Sequence, residues 1–153
     1  MATRLRSSAW ILLKRSVNWD DPEPIISLSV DAMRILIVDD IFTNRLLLGE
    51  VLRKLEIEFD QVENGKEAIE ALQKEDYDLV LMDIEMPVMN GLETTKYIRE
   101  NLPFPKNKTF VAALTAHDPE LFMDDFRDVG FDQLIAKPYS QEKIDALIRL
   151  AKG

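Results

Sequence analysis

The sequence predicts an α/β protein, a (βα)5 chain wound into a doubly covered, five-stranded parallel sheet. Three observations carry that prediction. From Met33 onward, short apolar runs of strand length alternate with segments of helical period. Three of the runs, Ile35 to Val38, Leu79 to Met82 and Phe110 to Leu114, are almost continuously apolar, as strands buried on both faces of a sheet must be. Turn and cap residues separate the segments: Asn64-Gly65, Asn90-Gly91, Asp118-Pro119 and Gly130. Strands that alternate with helices are joined by right-handed crossovers, and the open parallel sheet follows.

Taken in order, the first strand is expected over Ile35 to Val38. Leu48, Val51, Leu52 and Leu55 then recur at i, i+3, i+4 and i+7, one apolar stripe on a first helix. Ile57 to Val62 is the second strand, and Glu58, Asp60 and Gln61 within it suit a position near the sheet edge. Ala68, Ile69 and Leu72 mark the second helix. The third strand is Leu79 to Met82, and Leu92, Thr95 and Ile98 mark the helix after it. Phe110 to Leu114 is the fourth strand. Phe122, Phe126 and Val129 form the stripe of a fourth helix, entered at Asp118-Pro119 and stopped by Gly130. Phe131 to Ala136, interrupted by Asp132 and Gln133, is the second edge strand. Ile144, Leu147, Ile148 and Ala151 make the stripe of the last helix.

Composition changes near residue 30. The first 30 residues carry four basic and three acidic groups, so the chain's net charge of -9 arises from the remainder. Leu5, Trp10, Leu13 and Val17 could line one face of a short helix before Pro22 and Pro24. Residues 1–32 are therefore expected to be an N-terminal extension without assigned function, and residues 33–153 the domain. The acidic surface repels phosphate backbones and anionic lipid, so neither nucleic acid nor membrane is expected as a partner. No cysteine is present, which excludes a disulfide scaffold and thiolate chemistry and suits a reducing cytoplasm. A single histidine, His117, excludes a histidine-rich metal centre. The longest early apolar run, Ala9 to Leu13, is too short for a membrane span or a secretory signal.

In an open parallel sheet, ligands bind beyond the carboxyl ends of the strands. The first predicted strand runs into Asp39-Asp40, the third ends at Asp83, the fourth at Thr115 and the fifth at Lys137-Pro138. Singly, each has an ordinary reading as a helix cap, a loop acid, a turn residue or a surface charge, and Thr43 and Asn44 are also available to cap the first helix. Together they place three carboxylates, a hydroxyl and an ammonium on one edge. Two carboxylates about 5 Å apart repel by roughly 3 kcal/mol at an effective dielectric near 20, and a third adds two more repulsions. One lysine offsets only part of this. A divalent cation offsets more, and hard oxygen donors select Mg²⁺. A Mg²⁺ site completed by a substrate phosphoryl group is the expectation, with the metal letting an anionic nucleophile approach an anionic donor.

Four blocks carry a resemblance: Ile35-Leu36-Ile37-Val38-Asp39-Asp40, Leu81-Met82-Asp83-Ile84-Glu85-Met86-Pro87-Val88-Met89-Asn90-Gly91, Ala113-Leu114-Thr115-Ala116 and Ala136-Lys137-Pro138. In order and spacing they resemble the signature blocks of response-regulator receiver domains, over about residues 33–152. The resemblance implies a flavodoxin-like sheet of strand order 2-1-3-4-5 and a phosphoacceptor in two-component or phosphorelay signalling. By the same carry-over, Asp83 takes a phosphoryl group from the phosphohistidine of a histidine kinase or histidine phosphotransfer protein. Asp40 ligates Mg²⁺ directly, Asp39 largely through water, and Asp83 and the Glu85 backbone carbonyl complete the protein's share. Thr115 and Lys137 hold the phosphoryl oxygens, and the Lys137-Pro138 bond is cis.

The resemblance also implies a signal read out on the face formed by residues 118–151. Leu134 stands where receivers often carry an aromatic residue that turns inward on activation, so an aromatic switch is not expected here. Tyr139 is expected to pack, and His117 to sit near the site mouth, tuning access or hydrolysis or playing no part. The chain stops after the last predicted helix, so a receiver without an output domain, stand-alone or excised from a hybrid kinase, is the expectation. It catalyses only its own phosphoryl transfer and dephosphorylation. The alternative is a receiver-like interaction module that acts without phosphorylation. An aspartate-nucleophile phosphatase is disfavoured because Asp83-Ile84-Glu85 is followed by Met86, and a nucleotide-binding fold because the five glycines compose no phosphate-cradling loop.

Overall fold

The computed structural model describes residues 32–153, apart from the side chains of Phe122 and Met123. The proposed helical stripe of Leu5, Trp10, Leu13 and Val17 therefore lies outside the described residues, as does the Phe122 side chain. Residues 32–153 form one compact unit. Its strands are β1 (Arg34–Val38), β2 (Glu58–Val62), β3 (Leu79–Asp83), β4 (Phe110–Thr115) and β5 (Gln133–Ala136). Its helices are α1 (Phe42–Lys54), α2 (Gly65–Lys74), α3 (Gly91–Asn101), α4 (Pro119–Val129) and α5 (Gln141–Lys152), with a 3₁₀ turn at Lys106–Lys108.

All five strands are parallel, in the order β2-β1-β3-β4-β5. The three continuous apolar runs are the interior strands and the two polar-interrupted runs are the edges, as their residues predict. Side chains alternate across the sheet, so each strand feeds two cores. Leu36, Val38, Val80, Met82, Val111 and Ala113 face one layer, with Ala68, Leu72, Ile98 and Phe126 from α2, α3 and α4. Ile35, Ile37, Leu79, Leu81, Ala112 and Leu114 face the other, with Leu48 and Leu52 of α1 and Ile144, Leu147 and Ile148 of α5.

Four helices begin with a side-chain cap. Asn64 accepts from Glu67 N at α2, Asn90 forms a capping box with Glu93 at α3, Asp118 accepts from Glu120 N at α4, and Ser140 accepts from Lys143 N at α5. Helix α4 ends at Gly130, whose φ of 109° is open to glycine without penalty. Helix α1 is the exception: Ile41 occupies its N-cap with no side-chain cap, and neither Thr43 nor Asn44 performs that task. The outer side of α1 also differs from a simple one-stripe helix, because Phe42, Leu46 and Leu47 are exposed together with Ile41. Leu55, expected to continue the stripe, lies just beyond the last helical residue, and the chain turns away through Glu56 at positive φ.

A single guanidinium ties the far end of the sheet. Arg99 of α3 donates to the carbonyls of Gly130, Asn107 and Thr109 and to the Asp132 carboxylate, at 2.8 to 2.9 Å. Asp132 accepts in turn from Val111 N. The α4–β5 and α3–β4 connections are thereby fixed to each other, which holds β4 and β5 in register beneath the site. Among the described residues no helix is long and apolar enough to cross a membrane.

Candidate phosphoryl and cation site

Every side chain assigned to the site from the sequence lies at or beyond a carboxyl strand end. β1 delivers Asp39 and Asp40, β3 ends on Asp83, β4 ends on Thr115, and Lys137 follows β5 directly. In-register pairing brings these ends level. Asp83 pairs with Leu114 and Thr115 with Ala136, and Lys137 N donates to Thr115 O at 2.7 Å. One carboxylate oxygen from each of Asp39, Asp40 and Asp83 lies within 4.8 Å of the other two. Asp39 is fully buried, Asp83 is 4% exposed, and Asp40 opens to solvent.

The Lys137 ammonium donates to Asp83 Oδ1 at 2.8 Å and stands 3.8 Å from Asp39 Oδ2. The Lys137-Pro138 peptide is cis. Burial pushes the Asp83 carboxyl above its ordinary range; the Lys137 hydrogen bond opposes this, and the charges of Asp39 and Asp40 add to it. Three acids thus face one ammonium. This donor set, all carboxylate oxygen with one member open to water, fits a hard divalent cation and suits Mg²⁺, which retains waters of its own.

The backbone under Asp83 is packed too closely for any residue but glycine at position 91. A Cβ on Gly91 would lie 2.4 Å from the Asp83 carbonyl oxygen, and Gly91 N donates to Ile84 O at 2.9 Å. The β3–α3 turn is held in this way against the strand end that carries the acid. The exposed Glu85 side chain leaves the cleft and sits 3.4 Å from His117 Nε2, so the two form a pair at the site mouth. Thr115 is buried, and its hydroxyl oxygen accepts from His117 N at 3.0 Å. Tyr139 packs partly against the α1/α5 core, as expected of a packing aromatic. It also borders the acids: burial first, then the charges of Asp39 and Asp83, push its phenol up to about 12.

Two neighbours of the acids escape a reading of motifs. Asn44 donates to both oxygens of Asp39, at 3.1 and 3.4 Å. Arg45, 7% exposed, donates to the Asp39 carbonyl at 2.8 Å and to Glu63 at 2.9 Å, with its guanidinium over the Phe42 ring. A signal for Arg45 exists in the sequence. Extending the Leu48/Leu52 stripe back one turn lands on position 45, so the arginine had to face inward.

Comparison with known proteins agrees with this geometry. The response regulator receiver domain family matches residues 35–149. Two-component response regulator 24 of Arabidopsis thaliana is 33% identical over 127 residues, covering 82% of this chain and 88% of that protein. The autoinducer 2 sensor kinase/phosphatase LuxQ of Vibrio parahaemolyticus is 34% identical over 114 residues, 74% of this chain, but the chain spans only 13% of the kinase. Among solved structures, the receiver domain of sensor histidine kinase PA1611 from Pseudomonas aeruginosa matches with a TM-score of 0.72 and 25% identity, covering 80% of this chain and all of that one; its cleft holds a coordinated magnesium ion. With the strand order, the ordered motifs and the acid cluster in agreement, the chain belongs to the response regulator receiver domain family of two-component signalling.

Proposed function

We propose that this protein accepts a phosphoryl group on Asp83 from the phosphohistidine of a histidine kinase or histidine phosphotransfer protein, in the cytoplasm. The observation that carries the proposal is the convergence of Asp39, Asp40 and Asp83 within 4.8 Å around a single lysine. Lys137 bonds Oδ1 of Asp83, so the second carboxylate oxygen is the nucleophile. That oxygen attacks phosphorus while the P–N bond to the donor imidazole breaks. The imidazole leaves with the bonding pair and is protonated from water, and an acyl phosphate remains on Asp83.

Asp40, Asp83 and the Glu85 backbone carbonyl would hold Mg²⁺, with Asp39 reaching it through water, and the bound cation would neutralise charge on the transferring group. Lys137 shifts from the Asp83 carboxylate to a phosphoryl oxygen, and the Thr115 hydroxyl donates to another. Residues 1–32 are an extension outside this chemistry, and residues 33–153 are the functional unit. Turnover beyond the chain's own phosphorylation and dephosphorylation is not part of the role.

The signal leaves through the 118–151 face. To reach the phosphoryl group, the Thr115 hydroxyl must reorient beside His117, which directly precedes the Asp118 cap of α4. Leu134 is already buried with Phe126 and Phe131, so no aromatic swing is available. The change is transmitted by the β4 end and the start of α4. That region borders a groove where Pro119, Leu134 and Ala136 face Leu147 and Leu150.

Incubation with acetyl phosphate, and separately with a phosphorylated histidine phosphotransfer protein, with and without Mg²⁺, tests the proposal. Mass spectrometry is expected to map one metal-dependent phosphoryl adduct to Asp83, absent in Asp83→Asn. No adduct from either donor, together with no Mg²⁺ uptake, would replace it with the phosphate-independent interaction module.

A further inference from the structure

Asp39 is fixed from every side. Its N–H donates to Val62 O of β2 at 3.2 Å, and its carbonyl accepts from Arg45. Its carboxylate accepts from Ile41 N at 2.9 Å and from Asn44 Nδ2 on both oxygens. Asp39 is fully buried, and a buried anion left without donors would neutralise or turn away. Ile41 N–H is the one donor that the backbone supplies; the amide of Asn44 is the donor that the sequence chose. Among the described α-helices, α1 alone starts without a side-chain cap, and Asn44 in its first turn gives its side-chain amide to the Asp39 carboxylate.

We infer that Asn44 and Arg45, on the first turn of α1, are positioning residues that set the affinity of the acid cleft for its divalent cation. Asn44 orients the Asp39 carboxylate, and Arg45 anchors the Asp39 backbone to the β2–α2 loop through Glu63. Neither touches the reacting atoms. The inference rests on the cation role proposed above and deepens it. Its physical basis is general: partners that orient a ligating carboxylate typically govern metal affinity by roughly 10- to 100-fold. Arg45 is suited to its part because a planar guanidinium reaches the Asp39 carbonyl and the Glu63 carboxylate at once, which an ammonium on a flexible stem does not reproduce.

The test is calorimetric titration of Mg²⁺ into the full chain and its Asn44→Ala variant, with phosphorylation rates measured across the same Mg²⁺ range. Alanine is the better helix former, so Asn44→Ala leaves α1 intact. The expected result is a Mg²⁺ dissociation constant raised about tenfold, with the phosphorylation rate at saturating Mg²⁺ within about twofold of wild type. Arg45→Lys, which keeps the charge, is expected to weaken Mg²⁺ by about threefold or more. An Asn44→Ala variant that binds Mg²⁺ like wild type, or that loses rate at saturating metal and melts lower, overturns the inference and leaves the proposed phosphorylation standing. A wild-type chain that binds no Mg²⁺ overturns both.

Discussion

Replacing Asp83 with asparagine removes one charge from the acid cluster and is expected to stabilise the metal-free protein at neutral pH. Asp39 and Asp83 are both buried with oxygens inside 4.8 Å, and unit charges about 5 Å apart repel by roughly 3 kcal/mol at an effective dielectric near 20. Lys137, bonded to Asp83, returns a comparable amount, and the cost of burying the Asp83 charge decides the sign. Asp40 is exposed and contributes little after screening. A net gain of about 1–2 kcal/mol is expected for Asp83→Asn, which for a domain of this size raises the melting temperature by roughly 3–6 °C.

The pH dependence follows from the direction of the shift. The folded carboxyl titrates above the unfolded one, so the wild type carries its deficit at neutral pH and recovers it as the pH falls through the folded pKa. The advantage of the variant therefore shrinks toward acid pH. Added Mg²⁺ works against the variant, because the wild type gains about 2.7 kcal/mol when the metal is at 100 times its dissociation constant and the variant gains less. Urea melts in EDTA and in Mg²⁺, at neutral and acid pH, measure all of this. An Asp83→Asn variant less stable than wild type in EDTA at neutral pH would refute the electrostatic reasoning.

Three further outcomes are expected. Lys137→Ala lowers the phosphorylation rate by about 100-fold or more while Mg²⁺ binding persists; equal rates in a rapid-quench assay would remove Lys137 from the reaction. Arg99→Ala strips donors from three carbonyls and the Asp132 carboxylate and costs about 3 kcal/mol in urea unfolding, with Arg99→Lys recovering less than half; a loss under about 1 kcal/mol would contradict its tie across the connections. The Tyr139 phenol, pushed up to about 12, contributes stability below the ordinary phenol range that disappears as the pH rises through about 12. The titration is read as ultraviolet absorbance against Tyr139→Phe; a phenol that ionises in the ordinary range would contradict its burial beside Asp39 and Asp83.

Leu79 to Met82 contains no polar residue, and only the centre of a doubly covered sheet accepts such a run; Glu58, Asp60 and Gln61 likewise assign β2 to an edge. The motif residues were legible for a topological reason. Strand ends of a parallel sheet collect side chains distant in sequence, so Asp39, Asp83, Thr115 and Lys137 declare themselves once the strands are drawn. Apart from Arg45, which the α1 stripe points to, what escaped has no periodic or positional signature. The Asn44 contact depends on how an uncapped helix start turns toward a neighbour's carboxylate. The four acceptors of Arg99 are loop groups brought together only by tertiary folding. The apolar outer residues Phe42, Leu46 and Leu47 are invisible to a rule that asks only for one stripe.

The most direct measurement is a crystal structure grown with Mg²⁺ and beryllofluoride, an acyl phosphate mimic. The expected density has beryllium bonded to an Asp83 carboxylate oxygen, the cation among Asp40, Asp83 and the Glu85 carbonyl, and Thr115 and Lys137 on the fluorides. A cleft that takes up neither group, with its three carboxylates turned away from one another, would contradict the cation-supported phosphoacceptor.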